Sequence, residues 1–385
     1  MKFNKWTLGL AAVGAVSMAS AVRADEAPKM SQLNTALSNT TISGVVDVGA
    51  QYNTGNVHGG GANPPGYVGT VDGFSLNQVI ISLDKPQDES PWASGYHVDL
   101  NYGVDNVGTS THTTVTTPSG QIRQAYVALR TPVGNGIDWK AGIFDNIIGY
   151  EGNTLSANPN YTHSYGYSVE PTTLVGLLGT YKVGSALSFS AGVANSDGYG
   201  TGSLSEKTLL GAATLTAPDS WGWAKGAALT VGVNQGFYKL AQDNYYAGFT
   251  LPTPITALKV GASFDVVSYN NAGISTSPSA NNKNDSEWVA AAYASFQATD
   301  KLSLNLRGEY SDGPNQDGPV ALPRGEEVTA TVQYNLWANV ISRVEVRWDH
   351  IDSGYYYGQG TSSNGSFEGA RGDAFELAFN VAYTF

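Results

Sequence analysis

From Thr40 to the last residue, apolar and polar side chains alternate with a period of two, in short runs set apart by turns. Successive side chains of a strand point to opposite faces, so each run reads as an amphipathic β-strand. The dyad is cleanest late in the chain. Val344, Val346 and Trp348 alternate with Arg343, Glu345, Arg347 and Asp349; Leu302, Leu304, Leu306 and Tyr310 oppose Asn305, Arg307 and Glu309. In the closing run Phe375, Leu377, Phe379, Val381, Tyr383 and Phe385 share one face, and Ala374, Glu376, Ala378, Asn380, Ala382 and Thr384 the other.

Read this way, the chain predicts sixteen strands, at 42–52, 74–84, 96–104, 121–130, 137–147, 174–182, 186–195, 206–216, 226–237, 244–251, 257–269, 286–297, 301–311, 326–336, 339–350 and 373–385. Their connections alternate in length. Lys182–Ser185, Pro252–Thr256, Ala298–Asp300 and Leu336–Ala338 are tight turns, whereas 53–72, 105–119, 148–173, 196–205, 270–285, 312–325 and 351–372 are long. An even strand count with short turns at one end and long loops at the other predicts an all-β fold: a transmembrane antiparallel β-barrel of about 16 strands, with short periplasmic turns and long extracellular loops.

Period-two patterning alone also fits a soluble sandwich, whose charged face would meet bulk water. The termini separate the two. Lys2 and Lys5 precede a mostly apolar stretch from Trp6 to Met18, and Val22-Arg23-Ala24 ahead of Asp25 resembles a signal-peptidase site, with a cut after Ala21 as the alternative. Residues 1–24 are therefore expected to be a cleaved signal peptide, 25–39 a periplasmic leader and 40–385 the barrel. At the other end, an amphipathic strand that finishes on Phe385 resembles the closing strand of bacterial outer-membrane barrels, which their assembly machinery reads by its aromatic last residue. The expected location is the bacterial outer membrane. Its lipid is one partner and the assembly machinery another.

Charge narrows the partners further. Removing Lys2, Lys5 and Arg23 from the 20 Lys+Arg leaves 17 against 32 Asp+Glu, a formal charge of −15, which argues against nucleic acid. With no cysteine, the chain has neither a disulfide framework nor a thiolate metal site, and no cofactor is expected.

The chemistry sits on the inner face. Arg307, Glu309, Arg343, Glu345, Arg347, Asp349 and Glu376 form a row of mixed sign, which reads either as a pore lining with a transverse field or as a salt-bridged ladder stiffening the wall. Arg123, Arg130 and Lys140 with Gln124 and Asp138 offer a second polar group on the fourth and fifth strands. The loop 148–173 carries Tyr150, Glu151, Asn158-Pro159-Asn160-Tyr161, His163, Tyr165 and Tyr167, bounded by Gly149 and Pro171. In sixteen-stranded general porins the loop after the fifth strand folds inward, and by that analogy this one is a constriction with Glu151 near the eyelet. Its other reading is an aromatic outer loop packed on the rim. His97 and Asp99 share a face with no serine partner in view. The Gly198–Gly202 glycines lack strand–helix context, Asn315-x-Asp317-Gly318 lacks the acids of a calcium loop, and Arg371-Gly372-Asp373 reads as a rim charge.

Three stretches carry a resemblance: Phe74-Ser-Leu-Asn-Gln-Val-Ile-Ile-Ser-Leu-Asp-Lys85-Pro86, Arg123-Gln-Ala-Tyr126-Val-Ala-Leu-Arg130, and Lys140-Ala-Gly-Ile-Phe with Gly149-Tyr150-Glu151. They look like the β-barrel porin family of the second, OmpL-like type, over essentially the whole mature chain. The resemblance implies a barrel that passes small hydrophilic solutes and supplies no particular solute. Porins of this size are often homotrimers, though monomeric channels exist. The expected function is a passive diffusion channel for small hydrophilic solutes or ions. The alternative is a plugged barrel acting as an adhesin or structural protein. A barrel enzyme would need a compact catalytic cluster at the rim, which the sequence does not supply.

Overall fold

The computed structural model describes residues 39–54, 64–68, 72–105, 121–195, 206–237, 242–269, 286–313, 322, 324–352 and 372–385. The expected signal peptide (1–24), the leader except its last residue, Gly198–Gly202, Asn315–Gly318 and Arg371 lie outside them.

Sixteen strands follow one another: β1 (Thr41–Asn53), β2 (Gly73–Lys85), β3 (Ser94–Tyr102), β4 (Gln121–Thr131), β5 (Ile137–Asp145), β6 (Thr173–Lys182), β7 (Leu187–Ala194) and β8 (Thr208–Thr216). The second half holds β9 (Ala228–Gly236), β10 (Gln242–Pro252), β11 (Leu258–Tyr269), β12 (Ser286–Gln297), β13 (Leu302–Asp312), β14 (Gly325–Trp337), β15 (Val340–Ile351) and β16 (Asp373–Thr384). Each pairs antiparallel with its sequence neighbours, and β1 closes on β16 to make a complete barrel. At the seam Val46 stands opposite Tyr383, and Gly44 and Phe385 exchange backbone hydrogen bonds of 2.9 and 3.0 Å. Closure leaves no strand edge, the condition for a sheet to cross a bilayer.

The barrel is apolar outside and charged inside. On adjacent strands, Val346 and Leu377 are 51% and 53% exposed while Arg343, Glu345 and Arg347 between them are 1% or less. A water-soluble fold would invert that order; lipid accounts for it. Trp92, Trp221, Trp223 and Trp337 are all exposed in or beside the short turns, where a ring of amphipathic aromatics meets the headgroups.

Two irregularities re-aim polar residues. The β1–β2 register slips between Asp47 and Val48, so Asn77 and Gln78, consecutive on β2, are both buried. The β3–β4 register slips between Asp99 and Leu100, and Arg123 and Gln124 both turn inward. A β-bulge makes two neighbours share a face that strict alternation would divide.

Inside, the wall from β5 to β10 is partly apolar. Phe144, Leu174, Leu178, Leu210 and Tyr246 form a cluster that receives Ile147 and Ile148. Gly232 gives Ile148 its place, since a Cβ there would lie 2.5 Å from the Ile148 side chain. Burying one such side chain contributes about 1.5–3 kcal/mol. This cluster turns the chain after β5 into the barrel.

Candidate functional site

Beyond β5 the chain runs inward. It makes a single 3-10 turn at Leu155–Ala157, crosses to the opposite wall, and forms the short helix α1 (Tyr165–Val169) before joining β6. The Ser164 hydroxyl starts α1 by accepting from the Tyr167 backbone N–H at 2.9 Å, as an N-cap does.

A buried loop must satisfy every backbone polar group it carries. Here the wall supplies partners of both signs. Glu345 accepts from the Tyr161 and Thr162 N–H groups and from the Thr162 hydroxyl, at 2.5, 2.8 and 2.7 Å. Glu309 accepts from the Tyr165 N–H at 2.9 Å, and the Tyr165 hydroxyl donates to Asp349 at 2.8 Å. The arginines take the carbonyls: Arg343 donates to Leu155, Asn158 and Asn160 oxygens at 3.2, 3.1 and 2.9 Å, Arg307 to Thr162 at 2.7 Å, and Arg347 to His163 at 2.9 Å. The alternation Arg343-Val-Glu345-Val-Arg347 on β15 is thus a docking row, with acceptors and donors interleaved to match a peptide backbone.

Ion pairs bind the row together. Arg307 lies 2.9 Å from Glu151 of the loop, 3.1 Å from Glu327 and 3.4 Å from Glu309. Burial alone would raise the Glu151 carboxyl, but Arg307 and His163 hold it below its ordinary value. His163 lies flat on Tyr167, ring centroids 3.8 Å apart, between Asp105 at 3.2 Å and Glu151 at 3.4 Å. Burial would lower its pKa; the two carboxylates more than offset that and raise it to about 9. The loop end carries a second acid, Glu170, which burial and the neighbouring Asp265 push well above its ordinary value.

The sequence-predicted residues fall into two groups. Arg307, Glu309, Arg343, Glu345, Arg347 and Asp349 all bond the loop, Arg307 through Glu151 among others, and the arginines among them are 1% exposed or less, so their charges are spent there and not on open lumen. Glu376 stands opposite Arg347 in register, buried, with neither carboxylate oxygen hydrogen-bonded among the described residues. Arg123 spans the groups: it grips Asp145 at 2.7 Å and donates to the Thr154 hydroxyl of the loop at 2.7 Å. Arg130 and Lys140 are apart from this contact. Arg130 pairs with Asp138 at 2.5 Å near the β4–β5 turn, and Lys140 lies over the Tyr126 ring at 4.7 Å. His97 has one ring nitrogen 2.9 Å from Asp84 and the other 2.9 Å from Asp99, and its ring is stacked on Tyr126.

Sequence reasoning missed a second inward segment. Pro65 to Val68, within the long connection after β1, reaches the same place. The Gly66 carbonyl accepts from the His163 N–H at 2.9 Å, the Pro65 carbonyl accepts from Arg347 at 2.7 Å, and Tyr67 donates to Asp349 at 2.9 Å. The Arg347 guanidinium lies 4.7 Å from the Tyr67 ring and 5.4 Å from the Tyr165 ring. The signal available was Pro-Pro-Gly-Tyr at 64–67, a rigid turn with one large apolar body. Asn77 and Gln78 were also missed. Gln78 bonds both the Asn153 carbonyl and the Leu155 N–H, and Asn77 donates to Asp47 and accepts from Tyr161.

The family model described as "Putative beta-barrel porin-2, OmpL-like" matches residues 39–385. No protein of curated function matches the sequence. Among solved structures, the chain is similar to OmpT, an outer membrane protein of Vibrio cholerae, at 11% identity and a TM-score of 0.56, covering 93% of this chain and 100% of that one. It is similar to the anion-selective porin from Comamonas acidovorans at 10% identity and 0.58, covering 90% and 99%. It also resembles the outer membrane channel DcaP of Acinetobacter baumannii at 13% identity and 0.55, covering 90% and 97%. Identities this low establish the fold they share, a closed outer-membrane barrel.

Proposed function

From the chain's membership of the OmpL-like β-barrel porin family, we propose that this protein is a passive diffusion channel for small hydrophilic solutes or ions, and that the loop 148–173 sets its narrowest section. The observation that carries the reading is the loop's dock: Glu345 and Arg343 fasten its backbone across the lumen at mid-barrel, with Glu151 among the charges beside it. A segment held by so many charge-assisted bonds is a fixed obstacle, and a fixed obstacle in a wet tube is a sieve. Arg123, Arg130 and Lys140 would line what passage remains beside the loop; Glu309, Arg307, Arg347, Asp349 and Glu376 would keep the obstacle in place.

The mature chain in this reading begins after the signal peptide 1–24, carries the leader 25–39, and reaches the outer membrane through the assembly machinery that reads Phe385. One of the similar structures, OmpT, is known also in a trimer form, and we extend a homotrimer to this chain on that ground.

The test is single-channel recording of the folded protein in a planar bilayer. Discrete open steps are expected. Replacing 155–168 by a short Gly/Ser linker should enlarge them several-fold; an unchanged step would remove the loop from the constriction. One observation favours a second reading, a plugged barrel: Tyr161, Tyr165 and Arg347 are all 1% exposed or less, so the lumen on that side is dry. Silence from a correctly folded barrel, with current restored by loop replacement, would establish that reading instead.

A further inference from the structure

Beneath the loop, toward the short turns, the lumen opens into a cavity of about 510 Å³. Tyr150 and Pro159 of the loop cover it, and the inward-facing ends of β10 to β14 make its wall. Tyr150 is stacked on Tyr293, ring centroids 3.9 Å apart, and packs its hydroxyl against Gly261, where any side chain would collide with it.

The chemistry of the wall differs from that of the docking row above. Lys259, Ser295 and Asn305 stand directly opposite one another in register on β11, β12 and β13. Lys259 makes no ion pair among the described residues. Asp300, the one carboxylate lining the cavity, belongs to the β12–β13 turn and is not within 4.0 Å of it. The Thr250 hydroxyl and the Asn335 amide oxygen are buried on the same wall without a hydrogen-bond partner among the described residues. So one lone cation, several neutral donors and acceptors, and a flat aromatic cover converge on a space large enough for a small molecule, in the usual range of roughly 300–1,000 Å³.

An unpaired ammonium in a partly enclosed space attracts a counter-charge more strongly than it would in bulk water. The hydroxyls and amides around it match the hydroxyls of a ligand, and the one lining carboxylate, Asp300, lies at the turn end of the cavity beyond 4.0 Å from Lys259. We propose that this cavity is a binding subsite for small hydroxylated organic anions, with Lys259 holding the anionic group and the Ser295, Asn305 and Thr250 side chains the hydroxyls. The inference deepens the channel reading by giving it a solute class.

The experiment is isothermal titration of the folded protein in detergent micelles with sodium gluconate, against sorbitol as a probe with the same hydroxyls and no charge. Saturable gluconate binding is expected, with sorbitol weaker by roughly tenfold or more, the weight of one charge-assisted contact. Lys259→Gln should lose about the same factor and Lys259→Arg should keep most of the affinity. Heat-modifiable gel mobility checks that each variant is folded. Equal binding of sorbitol, an unchanged Lys259→Gln, or no saturable gluconate binding by folded protein would each overturn the subsite. The calorimetry reads the cavity whether or not the barrel conducts, so failure of the channel reading, seen as electrical silence, is a separate result.

Discussion

Arg307 shows what a single residue carries here. It is fully buried, and its guanidinium touches Glu151, Glu309 and Glu327. Taking those charges out of water is costly, and their mutual attraction offsets the cost only while every partner is present. Arg307→Met is therefore expected to destabilise the barrel by about 3–5 kcal/mol, because it leaves a cluster of buried carboxylates without its cation. Arg324→Met removes a partner of Asp352 on the exposed rim and should leave the urea midpoint where it is. Tryptophan fluorescence during urea unfolding compares the two, and equal shifts would show the buried cluster to be energetically idle. His163 adds a dependence on pH. Its value is raised from 6.5 to about 9 in the folded state by Asp105 and Glu151 against the pull of burial. The stabilisation it lends is complete below about pH 6.5 and is lost as pH rises through about 9. Protection factors across 150–170, corrected for the intrinsic base-catalysed exchange rate, should fall over that window, and His163→Gln should abolish that fall; protection that is flat with pH in the wild type would contradict this.

Among elements, the strands were legible and their burden was not. Period-two alternation sufficed for all sixteen strands and their order, because a strand between lipid and lumen must alternate along its whole length. Val344, Val346 and Trp348 had to share one apolar face, and the termini made that face the lipid one. Strict alternation fails at these two bulges, so period two alone divides Asn77 from Gln78, and Arg123 from Gln124, between opposite faces, although polarity itself suggests an inward place for both Arg123 and Gln124. It also cannot say what covers a charged face. Arg343, Glu345 and Arg347 look the same in sequence whether they meet water or a folded-in backbone, and only the path of the 148–173 and 64–68 segments distinguishes the two. The dock predicts its own rigidity. Asn160 donates to the Thr331 hydroxyl at 2.7 Å, and the chain has no native cysteine to interfere. Asn160→Cys with Thr331→Cys should therefore cross-link under mild oxidation and leave the single-channel conductance within about 10–20% of the reduced form, as expected where a loop is already in its working position. A large fall in conductance on oxidation would mean that the loop swings away to open the pore.

For the whole molecule, net charge and lumen charge point in opposite directions. The sequence sums to −12, or −15 once the expected signal peptide is removed, and a bulk reading would assign cation preference. Selectivity, however, is decided by charges that face the water-filled passage and lack a partner, since a paired charge presents little net field. Most carboxylates of the mid-barrel row are spent: Glu151, Glu309 and Glu327 on Arg307, Asp349 on Arg347, Glu345 on the loop backbone, with Glu376, buried opposite Arg347, the exception. Three inward lysines toward the short turns are not. Lys140 faces Tyr126, Lys182 stands opposite the buried Ser188, and Lys259 lines the cavity, none with a carboxylate within 4.0 Å among the described residues. In the proposed channel these lysines would outweigh the remaining free acids and make the passage basic inside an acidic protein. In a bilayer with a tenfold KCl gradient, the reversal potential should take the sign of chloride preference, with a permeability ratio of roughly 2–5 at low salt that shrinks as ionic strength screens the lysines. Changing Lys140, Lys182 and Lys259 together to Gln should bring the ratio to one or reverse it, without changing the unfolding free energy by more than about 1–2 kcal/mol, because no ion pair is broken. A wild-type channel that prefers potassium would show instead that charges beyond these walls govern the current.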